Sequence, residues 1–151
     1  VFDSNGTYLT QFGSVGLEPG NLDEPVGIEI SPSGEIYIAD TWNYRVQVFE
    51  PDPSGLQFRS ARLWEVDAWS SDSLDNKPFL ALDKDGNVYI TDPDRGRIIG
   101  FDSQGTFKVL WGGFDNSYLM GVISGIATTS DGKVWVSDSN SNSLLLFQPP
   151  E

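Results

Sequence analysis

The 151-residue chain has no cysteine, no histidine and a single methionine. Without histidine there is no imidazole for general acid–base catalysis, for a Ser-His-Asp triad or for most zinc and iron centres. Without cysteine there is neither a disulfide framework nor a thiolate metal site. Positive charge is scarce: nine Lys and Arg face 22 Asp and Glu, a formal net charge of −13. Nucleic-acid binders draw much of their affinity from Lys and Arg that neutralise phosphate, so a field of this sign argues against RNA or DNA as a partner. No apolar run approaches the roughly 20 residues that a membrane helix requires, and direct membrane insertion is not expected. The chain opens at Val1 with no leader-like segment, which reads as a mature or excised piece of something longer.

What is present is a repeat. Hydrophobic residues make up 38% and aromatics 13%, enough for a packed core, and 16 glycines with nine prolines punctuate the chain. Three segments superpose on a shared Gly and Asp: Gly34 with Ile36, Tyr37, Ile38 and Asp40; Gly86 with Val88, Tyr89, Ile90 and Asp92; Gly132 with Val134, Trp135, Val136 and Asp138. In each, Asp follows Gly by six residues and a Phe (Phe49, Phe101, Phe147) follows that Asp by nine. The Asp-to-Asp separations of 52 and 46 residues suit a unit of four short strands with loops.

Strand chemistry agrees with that count. Each unit opens with a short apolar run, at 26–30, 79–82 and 123–128, then turns at Gly34, Gly86 or Gly132, where glycine supplies the positive φ of a tight hairpin. The aromatic-bearing strand follows, with Tyr37, Tyr89 and Trp135 in one slot. Third strands fall at 45–49, 97–101 and 143–147, and a polar turn at 102–105 leads to a fourth strand at 106–111. Short β-rich runs between Gly, Asn, Asp and Pro clusters predict an all-β meander, and no helical periodicity is visible.

The run Ala39-Asp40-Thr41-Trp42-Asn43-Tyr44-Arg45-Val46-Gln47-Val48-Phe49 closely resembles the core of an NHL repeat. The opening segment, with Phe2, Gly6, Tyr8, Leu9, Phe12 and Gly13, resembles the strand and exit turn that close such a repeat. The resemblance implies an all-β fold, a β-propeller of NHL type with about three four-stranded blades, half of a six-bladed ring. It resembles the C-terminal blades of bacterial NHL proteins, some of which attach propellers to multi-spanning membrane proteins. The third unit departs from the pattern: Ser143 stands where the others have Arg45 and Arg97, and Ile123 where the first has Pro25.

The expected organisation is a third-strand stub and a fourth strand at 1–13, blade one at 25–65, blade two at 78–112, and blade three at 122–148 without its own fourth strand. Phe2 occupies the slot of Phe49 and Phe147, so residues 7–12 offer a spare fourth strand. In propellers such a strand completes the last blade and closes the ring. An open arc of three blades leaves two apolar faces wet. Either the remaining blades belong to a longer parent chain, or two copies assemble head-to-tail as a homodimer.

Candidate residues follow. Asp40, Asp92 and Asp138 invite a metal reading, but equal placement in every unit favours a structural role, each accepting backbone N–H bonds from the loop that follows its strand. Arg45 and Arg97 are expected between blades, pairing with such carboxylates or with carbonyls. Glu29 aligns with Ala81 and Ala127 on the innermost strand and reaches toward a central channel. Calcium needs several oxygen ligands and this layer supplies one, so no metal site or cofactor is assigned, with calcium held by Glu29 and the other blades as the alternative. The stretch from Trp64 to Lys77 is long and rich in Trp and small polar residues. Trp64 reads as core; Trp69 reads equally as a packed plug or an exposed contact. Trp42, Tyr44, Trp69 and Arg95 form the candidate ligand-binding rim. Gly112 and Gly113 are not a phosphate loop, since no Lys or helix follows.

The function expected from this pattern is non-catalytic: a scaffold or binding module whose rim takes a protein, peptide or glycan. The alternatives are part of a calcium-dependent six-bladed hydrolase of lactonase or esterase type, which the resemblance brings in through fold alone, and a purely structural spacer. An acidic, cysteine-free surface rich in Ser, Asp and Asn suggests an extracytoplasmic location.

Overall fold

A computed structural model describes residues 1–69, 77–112 and 120–150. The described residues form eleven strands in three antiparallel sheets. The first contains β1 (Pro25–Ile30), β2 (Ile36–Asp40), β3 (Arg45–Pro51) and β4 (Phe58–Glu65); the second contains β5 (Leu80–Leu82), β6 (Val88–Asp92), β7 (Arg97–Phe101) and β8 (Phe107–Gly112). The third contains β9 (Ile123–Thr128), β10 (Val134–Asp138) and β11 (Ser143–Phe147). Each is a meander in chain order, so these are the blades the repeat implied. Two single 3-10 turns, Thr41–Asn43 and Pro93–Arg95, join the second and third strands of blades one and two.

The register repeats from blade to blade. Ile36 pairs with Phe49, Val88 with Phe101 and Val134 with Phe147, while the strand-ending Asp40 and Asp92 pair with Arg45 and Arg97 and Asp138 pairs with Ser143. Glu29, Ala81 and Ala127 oppose Tyr37, Tyr89 and Trp135, so the three are equivalent positions on the first strands. Side chains alternate across a strand, so each blade has two apolar faces. Tyr37, Val46, Val48 and Trp64 of blade one pack with Val88, Ile90, Ile99 and Phe101 of blade two. Tyr89 and Ile98 of blade two pack in the same way with Val134 and Val136 of blade three. The first strands β1, β5 and β9 stand side by side.

An aromatic contact recurs at each junction. Trp64 lies 6.0 Å from Phe101, and Trp111 lies 5.0 Å from Phe147. Phe12 makes the equivalent contact, 5.0 Å from Phe49, and stacks on Phe58 at 4.2 Å. Such pairs contribute about 0.5–1.5 kcal/mol each beyond the area they bury.

The segment 1–12 differs from expectation. Residues 7–12 form no strand; the opening is held by an isolated Phe2–Tyr8 bridge with its edge-on ring contact and by hydrogen bonds of Val1 with Leu9 and Thr10 and of Asp3 with Thr7. Its turn nevertheless copies that of blade two. Asp3 accepts at one carboxylate oxygen from the N–H groups of Asn5 and Thr7, as Asp102 does from Gln104 and Thr106. The hairpin turn is formed, but residues 1–24 contain no strand that extends it into a sheet.

Candidate functional site

One end of the molecule gathers the turns between second and third strands with the connectors that lead from blade to blade. Its foundation is a set of buried carboxylates. Asp40 Oδ2 accepts from Arg45 Nε at 2.6 Å and from Asn43 Nδ2 at 2.9 Å, while Oδ1 accepts from the backbone N–H of Asp23 at 2.6 Å. Arg45 also donates to the carbonyls of Leu17, Glu18 and Asn21. Asp92 repeats the plan, accepting from Arg97 Nε at 2.7 Å and from the N–H of Trp69, while Arg97 donates to the carbonyl of Asp67.

The arginines therefore pair within their own blade, and their reach across the junction is to the connector that precedes it. Among the described residues, backbone N–H groups of the following loop reach only Asp138, which accepts from Asn140 and Ser141 as well as from Gly121, whereas Asp40 and Asp92 take side-chain bonds there from Asn43 and Arg95. Burial works to raise the pKa of Asp138, but these N–H donors win and hold it below the usual aspartate range. Ser143 takes the arginine's place there, and no guanidinium reaches the carboxylate.

On this base each turn places one residue in the left-handed region: Tyr44 (φ 51°), Gly96 (φ 55°) and Asn142 (φ 54°). At Gly96 a side chain would overlap the Met120 carbonyl oxygen, which explains the glycine. Tyr44 stands 41% exposed, beside Trp42 at 36%. The Tyr44 carbonyl accepts from the Val66 N–H, fixing the turn to the next connector. Arg95, in the equivalent turn of blade two, is exposed but committed to Asp92 and Asp67.

Trp69 is the correction to the expected rim. It is 4% exposed, its Nε1 donates to the Thr91 carbonyl at 2.8 Å, and it belongs to the core between blades one and two. It is the plug, not a surface contact, because the connector turns inward there with Trp69 at φ 63°. Half of the Trp-rich connector that the sequence singled out, residues 70–76, lies outside the described residues, as does Gly113.

Glu29 lies exposed on β1, its carboxylate touching only its neighbour Ile30 N–H at 3.4 Å. Among the described residues no group of three or more Asp or Glu is placed to hold a metal ion. The opposite end of the molecule carries two hydrogen-bonded networks. Arg62 bridges Glu35 and the Tyr37 hydroxyl, and its hydrogen bond holds the Glu35 carboxyl below its ordinary range. Asp83 accepts from the Tyr89 hydroxyl at 3.1 Å; burial, then the Asp83 charge, push the Tyr89 phenol well above its usual value.

The charge balance completes the site. Eight of the nine basic side chains sit in ion pairs with this chain's own carboxylates, and the ninth, Lys108, donates to Asn87. At the turn-bearing end Glu18 and Glu65 are exposed with no basic partner among the described residues. Trp42 and Tyr44 thus stand on a rigid turn in an anionic surround.

Residues 22–49 match the model of the NHL repeat, which covers the first two strands, the 3-10 turn and most of the third strand of blade one. A B-box type zinc finger protein, ncl-1 of Caenorhabditis elegans, is 40% identical over 45 residues, 30% of this chain and 5% of that protein. Among solved structures, virginiamycin B lyase from Staphylococcus aureus overlays 84% of this chain on 42% of its own, with a TM-score of 0.52 and 18% identity. A gluconolactonase from Xanthomonas campestris overlays 86% on 39% (TM-score 0.57, 18% identity), and a calcium-binding protein, regucalcin, from Agrobacterium tumefaciens overlays 77% on 38% (TM-score 0.52, 19% identity). These likenesses show the β-propeller fold. The chain spans about two-fifths of those propellers and a twentieth of the ncl-1 protein.

Proposed function

We propose that this NHL-repeat β-propeller chain is a non-catalytic binding module whose turn-bearing end takes a basic peptide segment of a protein partner. The observation that carries the reading is Trp42 and Tyr44, two large aromatics held half out of the surface on a turn that a buried Asp40–Arg45 pair makes rigid. Rigid aromatic anchors give contact area at low entropic cost. The surrounding carboxylates of Glu18 and Glu65 are free to meet Lys or Arg, whose side chains also pack well over indole and phenol faces.

The test is fluorescence titration with a Lys/Arg-rich peptide, an Asp/Glu-rich peptide of equal length and a panel of oligosaccharides. The basic peptide binds, more weakly as salt rises, and Trp42→Ala with Tyr44→Ala weakens it about tenfold or more without moving the melting temperature. Binding of the acidic peptide with equal strength, or binding indifferent to both substitutions, refutes the proposal. Saturable binding of an oligosaccharide alone moves the rim to a glycan.

A second reading, part of a calcium-dependent hydrolase, draws on Glu29 at the innermost strand and on the likeness to the gluconolactonase and regucalcin folds. A calcium-dependent rise in melting temperature that Glu29→Gln removes supports it; no rise speaks for the module.

A further inference from the structure

Blade three carries a bare face whose equivalents in blades one and two are sealed. Trp135, Leu144 and Leu146 are 40%, 70% and 47% exposed. By register they stand where blade one has Tyr37, Val46 and Val48, and Trp135 and Leu144 stand where blade two has Tyr89 and Ile98; all of these are at most 2% exposed. What seals them is the near face of the next blade, with its first-strand residue Leu80 or Ile126. The residue in that slot of blade one is Ile28, which with Ile30 is exposed at the far end of the molecule (60% and 58%). The chain therefore carries both halves of one blade junction, at opposite ends. Since 84% of it overlays 42% of a whole propeller, its length is about half of such a ring.

We propose that a second copy of this chain seals that face: two copies join head-to-tail, each laying residues 8–13 along β11 of the other as the fourth strand of blade three. The hairpin fixes the register. Phe2 and Tyr8 pair as Phe101 and Phe107 do, so Phe12 corresponds to Trp111 and already makes its ring contact, on Phe49. Blade two pairs Ile98 with Trp111, Gly100 with Val109 and Phe101 with Phe107. Transferred to the junction, Leu144 faces Phe12, Leu146 faces Thr10 and Phe147 faces Tyr8 of the other copy. Strand addition satisfies the open edge of β11, and a two-fold axis makes both junctions equivalent, so assembly stops at two. Phe147 takes the place that Phe2 holds, so residues 1–6 are displaced, and pairing along β11 replaces the Phe2–Tyr8 bridge and ring contact and the hydrogen bonds that Val1 makes with Leu9 and Thr10 and Asp3 with Thr7.

The test uses the full chain on a sizing column with light scattering over a hundredfold range of concentration. A species at twice 16.6 kDa is expected; a 16.6 kDa species throughout, or oligomers that grow without limit, overturns the proposal. Leu144→Asp places a carboxylate in the junction and raises the dimer dissociation constant about 100-fold, whereas Phe2→Ala leaves the dimer as tight or tighter. The register is read independently of stability through cysteines, of which the chain has none of its own. Thr10→Cys combined with Leu146→Cys yields a covalent dimer on oxidation, because the matching positions in blade two are close: a side-chain carbon at Gly100 comes within 2.6 Å of Val109. Leu9→Cys with Leu146→Cys does not. A monomeric cross-linked band, or none with either pair, overturns the register.

Discussion

Asp40→Asn is the sharpest probe of what holds the turn-bearing end together, because Asp138 provides its control within the same chain. Asp40 is fully buried and accepts three hydrogen bonds, one from Arg45, itself 7% exposed. Substituting Asn keeps one oxygen for the Asp23 N–H, but it removes the countercharge and turns an N–H donor toward the guanidinium. Breaking a buried pair by removing one partner costs about 3–5 kcal/mol. Arg45 retains three carbonyl partners, so the lower part of that range, about 3 kcal/mol, is expected. Asp138→Asn keeps one oxygen for the Asn140 and Ser141 N–H groups, loses the Gly121 N–H bond and breaks no ion pair, for about 1 kcal/mol. Urea unfolding followed by tryptophan fluorescence separates the two variants: a difference of about 2 kcal/mol is about 1 M in midpoint at a slope near 2 kcal/mol/M. Arg45→Met completes a cycle. In the Asp40→Asn background it costs about 2 kcal/mol less than alone, since the orphaned charge is gone. Equal losses for the two aspartates, or additivity within about 0.5 kcal/mol, would refute the claim that the Asp–Arg pair is what anchors blade one's connector.

Three further outcomes are expected. Trp69→Phe keeps most of the packing but forfeits the Nε1 bond to Thr91, costing about 1–2 kcal/mol in urea unfolding and leaving peptide affinity at the rim unchanged, because the indole is inside. Gly96→Ala costs about 2 kcal/mol or more, because the added carbon meets the Met120 carbonyl oxygen, whereas Tyr44→Ala, at a similar φ with the side chain 41% exposed, costs under about 1 kcal/mol. In pH titration of stability, Asp138, Asp3 and Asp102 have lowered folded pKa values, so their contribution is present above the unfolded value near 4 and is lost as pH falls through the folded ones. Asp138→Asn flattens that acid limb. Tyr89 is shifted the other way, so its contribution is complete below the unfolded value near 10 and is lost as pH rises toward the folded one. Tyr89→Phe softens that alkaline limb.

The repeat made much of the architecture legible. Gly-to-Asp and Asp-to-Phe spacings recur because each blade must turn, end its second strand and present a ring to its neighbour at the same places, and the register bears this out at Ile36–Phe49, Val88–Phe101 and Val134–Phe147. The equivalence of Glu29, Ala81 and Ala127 was readable for the same reason. The aromatic junctions were less so: Phe12, Trp64 and Trp111 each end a run before a turn, but only the fold brings them onto Phe49, Phe101 and Phe147.

Local pattern, then, determined the strands, their turns and their grouping into blades, because alternation and glycine punctuation act over a few residues. Contacts over longer separations belonged to the tertiary structure. Trp69 is 22 residues from the carbonyl that buries it, and Arg45 reaches back 24 to 28 residues to the carbonyls it clamps. Tyr44 stands 41% exposed at its turn, whereas the Met120 carbonyl crowds the equivalent Gly96, and only the packed connectors decide the difference. A side chain's neighbours on its own strand are written in the sequence; its neighbours on the next blade exist only once the blades pack.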